Sequence, residues 1–191
     1  KLGLHGSPTM IIEYSKSVGW LVGEENQGLA AMFTMMNNAR LGVGVEGLSQ
    51  SERAYQKALE FSKDRTQGKK FNQNISAKII DHADVRRNLL DMKALTTVSR
   101  AICMDCSINI DLGKLSQGSE FLKKAGVLTP IAKAFSTNVS QIVTEIGVQV
   151  HGGMGYIEET GAAQFYRDAR VTSIYEGTNG IQAMDLVGRK M

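Results

Sequence analysis

The chain has 191 residues, of which 42% are hydrophobic and 21% charged, with only two prolines; this balance suits a globular protein with a sizeable core and excludes a disordered chain. Its 22 basic and 19 acidic residues leave a net charge of +3 with no dense basic run, so nucleic-acid binding is not indicated. No apolar stretch approaches the roughly 20 residues that span a bilayer.

Residues 1–25 read as extended chain. Leu2 to Thr9 is rich in turn formers, Met10 to Tyr14 has strand character, and Trp20-Leu21-Val22 predicts a second short strand stopped by Gly23. Two strands do not make a stable domain, so residues 1–26 are expected to be the tail of a β domain. The chain starts at Lys1 without a methionine or a signal peptide, and it is expected to be a piece of a longer protein.

From Gln27 the texture becomes helical. Leu29, Met32, Met36, Leu41, Val45, Leu48, Tyr55 and Leu59 predict one long helix from 27 to about 65. Gly42, Gly44 and Gly47 interrupt it at a cost in helix propensity, which points to close helix packing or a nearby ligand. Gly68 follows the expected stop. A second helix is predicted from about Ser76 to Ile110, with Ile79, Val85, Leu89, Met92, Leu95, Val98 and Ile102 as its apolar stripe. Residues 111–126, with Gly113 and Gly118, read as a loop holding a short helix. A third helix is predicted to start at Thr129 as N-cap with Pro130 in the first turn, to run through Ile142, Val143, Ile146 and Val150, and to stop at Gly152-Gly153. A short helix is expected at 160–169, and a last one from about Thr178. The fold class expected is all-α, a four-helix bundle over residues 27–191 preceded by a short remnant of a β domain.

Cys103 and Cys106 form a CxxC inside the second helix. Such a pair can be half a zinc site or a redox pair. Zinc would need a second clustered pair of ligands, which His5, His82 and His151 do not supply, and the redox motif wants a strand-to-helix turn. The expectation is two reduced core thiols, no metal, and a reducing, cytoplasmic compartment.

The chemistry lies in the last third. Gln149-Val150-His151-Gly152-Gly153-Met154-Gly155-Tyr156 ends a helix with three glycines in four positions, where the backbone can turn left-handed or admit another group; on the glycines alone a simple helix stop and turn is the favoured reading. Glu176 follows apolar Ile174-Tyr175 and precedes Gly177 and a helix start. A carboxylate flanked this way can be partly desolvated, which would make it a stronger base, and the amides after Thr178 can point at an anion, although the local sequence by itself favours a solvated loop residue.

Taken together, these segments resemble the acyl-CoA dehydrogenase family. Ile174 to Gln182 is similar to the family's catalytic segment, Gln149 to Tyr156 to its QxxGGxGY loop, and Lys1-Leu2-Gly3 with Ser7 and Thr9 to the end of its middle β domain. Arg40 and Arg65 stand 25 residues apart, as the family's two arginines do. The resemblance implies an FAD-dependent oxidation of an acyl-CoA thioester between Cα and Cβ. Glu176 would be the base. Thr178, Asn179 and Gly180 would lie beside the flavin, and Gly177 beside the substrate. Gln149, Gly152, Gly153 and Arg65 would hold the ADP half of FAD, with the loop typically given by an adjacent subunit. Arg40 would lie on the CoA side. Arg65 is otherwise a cation favoured at a helix C-terminus, and Arg40 a surface or interhelical ion pair.

Two departures are visible. Many relatives carry RxxFG where this chain has Arg65-Thr66-Gln67-Gly68, one residue shorter and without phenylalanine, and Asn37 stands where an acidic residue is common. With the long 111–126 segment, they point to the branch of larger dehydrogenases that includes those acting on long-chain or 3-methylmercaptopropionyl substrates. The resemblance further implies an electron-transfer flavoprotein as acceptor and a homodimer or tetramer. Alternative readings are an acyl-CoA oxidase and a non-catalytic helical assembly module. These 191 residues alone are expected to bind FAD weakly or not at all.

Overall fold

The computed structural model describes residues 1–116 and 119–190. It is all-α apart from one small hairpin. In chain order come α1 (Gly28–Asp64), β1 (Thr66–Lys69), β2 (Ser76–Lys78), α2 (Ala83–Leu115), α3 (Ser119–His151), α4 (Ala162–Ala169) and α5 (Asn179–Asp185), with single helical turns between them. The three long helices form the bundle, and α4 and α5 together fill the fourth position against α3.

α1 and α3 run parallel. Gly44 lies on Ala132, Gly47 on Ser136, Ala54 by Gly147, and Phe61 stacks on His151. α2 runs against both: Cys103 meets Ser136, Cys106 meets Thr129, and Gly113 lies under Leu122. The apolar stripes expected from periodicity are only partly buried. Leu48, Leu89, Met92, Val143 and Val150 are in the core, but Leu29, Val45, Val98 and Ile142 are exposed. The buried line of α1 is instead Gly44, Gly47, Ser51, Ala54, Ala58 and Ser62. Small residues win because the helices approach closely: a Cβ on Gly47 would stand 2.8 Å from the Ser136 carbonyl oxygen. Overpacking there costs about 1–3 kcal/mol. Gly42 has open space beside it and packs against nothing.

α3 is enclosed on most sides, and its buried line carries hydroxyls rather than large apolar groups. Thr137, Ser140 and Thr144 have no exposed surface. They are accommodated because each donates back to its own helix, Thr137 to the Lys133 carbonyl at 2.7 Å and Thr144 to the Ser140 carbonyl at 2.6 Å.

Four boundaries differ from expectation. Met10–Tyr14 and Trp20–Val22 form no strand, since a strand needs a paired neighbour and none lies beside them among the described residues. Ser76 opens β2 rather than a helix, and α2 begins at Ala83 after a turn at Ile79–Asp81. Residues 111–126 are mostly helix: α2 continues to Leu115 and α3 starts at Ser119, while Gly118 lies outside the described residues. Thr129 and Pro130 are therefore buried inside α3, not at its start. Proline removes one helix hydrogen bond, but the preceding turns are held by tertiary packing, with Ala125 in the core, Leu122 on Gly113, and Lys124 paired with Asp105 at 3.1 Å.

Both cysteines are buried and free. Burial raises both thiols, against opposing hydrogen bonds to Ser136 and Thr129. Among the described residues no cluster of His, Cys, Asp or Glu is placed to hold a metal ion, and no helix is long and apolar enough to cross a membrane.

Candidate active site

A helical turn at Arg170–Ser173 delivers the chain to Ile174, Tyr175 and Glu176. Glu176 and Gly177 are both left-handed, with φ of 53° and 84°. Together they turn the backbone into α5, where Thr178 caps the first turn by accepting from the Ile181 amide at 3.4 Å. Gly177 is required on two grounds: its φ, and a Cβ there would lie 2.8 Å from Gln182 Nε2. At Glu176 an ordinary side chain occupies a conformation that costs about 1–2 kcal/mol, so the surroundings must hold it.

Two buried side chains do so. Gln182 Nε2 donates to the carbonyls of Glu176 and Gly177, both at 3.2 Å. Lys133, from the middle of α3, donates Nζ to the Gly177 carbonyl at 2.8 Å and to Asn179 Oδ1 at 3.0 Å. Asn179 Nδ2 donates in turn to Thr137 Oγ1 and Asn138 Oδ1 at 3.0 and 2.8 Å. Asn179 thus spends its side chain docking α5 on α3, while Thr178 and Gly180 remain exposed.

The Glu176 side chain is half-buried, and its carboxylate enters no ion pair or hydrogen bond among the described residues. Next to it, the Tyr175 hydroxyl donates to Glu46; burial, then this bond and the nearby carboxylates, push the phenol up. Burial first and the Arg40 guanidinium second push the Lys133 ammonium down to about 8, against an upward pull from Glu176. Arg40 itself is in a buried ion pair, Nη1 to Asp185 Oδ2 at 3.0 Å. This is an interhelical ion pair, and Arg40 also lines a small pocket of about 260 Å³ with Asn37 and Lys190.

The other sequence-marked residues gather elsewhere. Arg65 ends α1 in extended conformation, its carbonyl accepting from the Ile79 amide at 2.9 Å. With Gly68, His82, His151, Gly152 and Gly153 it lines a cleft of about 750 Å³. Gly152 is left-handed, and nothing lies within 4 Å of a Cβ on either Gly152 or Gly153, so their backbone is open. His151 is buried, holds the Gly147 carbonyl through Nδ1 at 2.7 Å, and has an unpartnered Nε2. Gln149 is exposed on the last turn of α3, outside the cleft's lining. From Lys133 to His151 is about 27 Å of helix at ~1.5 Å per residue. The structure therefore joins Glu176, Gly177, Thr178, Asn179 and Gly180 at one place, joins Arg65, Gly152 and Gly153 at another, and keeps the two apart.

Residues 26–191 match the model of the acyl-CoA dehydrogenase C-terminal domain. The chain belongs to the acyl-CoA dehydrogenase family. It is 50% identical to a 3-methylmercaptopropionyl-CoA dehydrogenase of Ruegeria pomeroyi, over all of this chain and 33% of that protein. The structure of butyryl-CoA dehydrogenase from Megasphaera elsdenii matches 87% of this chain with 39% of its own, at 31% identity and a TM-score of 0.72. A chain from the structure of the electron transferring flavoprotein of Acidaminococcus fermentans matches 86% of this chain with 39% of its own, at 25% identity and a TM-score of 0.73. The chain spans about a third of the length of the curated relatives it matches.

Sequence reasoning gave no role to Lys133, Gln182, Asp185 or His151. Lys133 had a legible signal, a lone cation in the run Ile131-Ala132-Lys133-Ala134-Phe135 on the most apolar helix. Gln182 and His151 lie inside the two segments that carry the resemblance, but neither their roles nor that of Asp185 can be read until α5 and the end of α3 are placed.

Proposed function

We propose that this chain is the C-terminal part of an FAD-dependent acyl-CoA dehydrogenase, in which Glu176 removes the α proton of an acyl-CoA thioester. The observation that carries this is the loop itself. A carboxylate with no competing partner stands on two left-handed residues, braced by two buried side chains, in a family whose members are FAD-dependent. The α proton of a thioester is weakly acidic, so a base must be held at contact distance and the enolate-like charge stabilised as it forms. Gly177 lets the backbone turn left-handed right after Glu176 and lets Gln182 approach the loop closely enough to brace it. FAD, when bound, supplies the acceptor for the β hydrogen as hydride.

The cleft at Arg65 fits the ADP half of FAD. It offers a cation and open glycine backbone, and charge-assisted donation from arginine suits a pyrophosphate. Because Lys133, which holds the Glu176 loop, and His151, which lines this cleft, stand about 27 Å apart along α3, we assign the two to different flavins: Thr178 and Gly180 beside the ring at one chain's base, Arg65, Gly152 and Gly153 against the ADP of a second chain's cofactor, with Gln149 at the margin. A homodimer or tetramer follows. Exposed Met104, Ile108, Leu112 and Leu115 on α2 suit such an assembly. Residues 1–26 are assigned to the tail of a β domain. Leu4 N–H donates to Asp168 Oδ1 at 2.7 Å, so this tail joins the bundle beside Tyr175. An electron-transfer flavoprotein is the proposed acceptor, and the cytoplasm the proposed compartment.

The test is anaerobic mixing of the complete flavin-loaded protein with a panel of acyl-CoAs that includes 3-methylmercaptopropionyl-CoA and butyryl-CoA, following flavin absorbance. Bleaching by one of them identifies the substrate class; no bleaching by any overturns the assignment.

A further inference from the structure

Lys133 is the largest fully buried side chain of the described structure, and no step of the proposed reaction uses it. Taking an ammonium out of water is costly and is tolerated where its N–H groups are taken up by good acceptors. Here both acceptors belong to one short segment: the carbonyl of Gly177, the residue after Glu176, and the side chain of Asn179, two residues further on. Gln182 braces the same carbonyl and that of Glu176, but as a neutral donor, and a charged donor makes a bond roughly twice as strong. The bonds act on a backbone that would not hold its shape unaided, since Glu176 is a non-glycine in the left-handed region.

We propose that Lys133 is a positioning residue that holds the Glu176 loop, and through it the carboxylate, in the geometry needed for proton abstraction. This rests on Glu176 being the base. The charged groups that face Lys133 are few. From α1 comes Arg40, locked to Asp185 of α5, and from the loop comes Glu176. Arg40 repels the ammonium and Glu176 attracts it. The ammonium titrates at about 8, so alkaline solution turns the charged clamp into a neutral, weaker one.

The experiment uses the full-length flavin-loaded enzyme carrying Lys133→Met, with Glu176→Gln in parallel. The expected result is a fall in kcat on the order of 10²-fold, with KM for the acyl-CoA and flavin content close to wild type. The wild-type kcat should also decline as pH rises through about 8, and that limb should be absent from Lys133→Met. Unchanged kcat in Lys133→Met overturns the proposal, as does a wild-type profile flat across this range. If Lys133→Met yields no flavin-loaded protein, Lys133→Gln, which keeps a donor and loses the charge, replaces it in the same comparison, and the wild-type profile stands by itself. Activity surviving in Glu176→Gln would remove the base assignment and this role with it. A dead Glu176→Gln beside a fully active Lys133→Met removes only the role of Lys133.

Discussion

The Glu176 loop and the Arg65 cleft lie at two levels of the same bundle and are built in opposite ways. At the loop, the backbone is tied down from beneath by Lys133 and Gln182, and Thr178 and Asn179 spend their side chains on caps and docking. At the cleft, glycine backbone lies bare, Arg65 is exposed and a buried imidazole nitrogen lacks a partner. The contrast matches the proposed roles of the two places, since a chemical centre and a binding surface make different demands. A base must be held to a fraction of an ångström, and every brace is supplied within the chain. A cofactor-binding surface leaves polar groups unspent for its ligand, and these are met when the ligand arrives.

If that division is right, mutations at the two places should fail differently. The largest effect is expected from Glu176→Gln in the complete enzyme: turnover falls on the order of 10⁴-fold, while the flavin stays bound, as read by steady-state assay and absorbance. Loss of flavin instead would blur the contrast. Arg40→Met leaves Asp185 buried without its close partner and should cost about 3 kcal/mol of stability by chemical denaturation. If CoA affinity falls while stability holds, Arg40 is a substrate contact after all. Gly177→Ala places a Cβ against Gln182 in a left-handed residue, so kcat should drop about 10²-fold with FAD affinity kept. Arg65→Ala should do the reverse, raising the FAD Kd about tenfold while kcat at saturating FAD is unchanged.

The smallest effect concerns pH. Burial pushes the His151 imidazole below its ordinary value of 6.5, with a smaller push from Lys57 and an opposing pull from its bond to Gly147. The unfolded chain then binds the proton more readily, so the stability this group contributes is present above pH 6.5 and is lost as pH falls through its lower folded value. His151→Phe, which keeps the stack on Phe61, should show a shallower loss of stability on acidification, measured by melting temperature across that range.

Much of this was legible in the residues. The helical run from Gln27, the short helix at 160–169 and the start after Thr178 follow from periodicity and capping, which are local. The segment from Ile174 to Gln182 carried the resemblance because a glutamate, a glycine and a capping threonine stand in immediate succession, which is a local pattern. The tertiary structure alone decided what those residues touch. Gly44 and Gly47 marked close helix packing in the sequence, and apolar periodicity found Leu48, Leu89 and Val143; it also pointed to Leu29, Val45, Val98 and Ile142, which are exposed, and missed Ala54 and Ala58, since close helix approach selects small residues that apolar periodicity does not count. Pro130 reads as a helix start, yet packing on α2 carries the helix through it, because tertiary contacts outweigh one lost hydrogen bond. Lys133 lies 43 positions before Glu176 in the chain and reaches the next residue's carbonyl. A contact across that separation has no local signature; it exists only once α3 and α5 are docked.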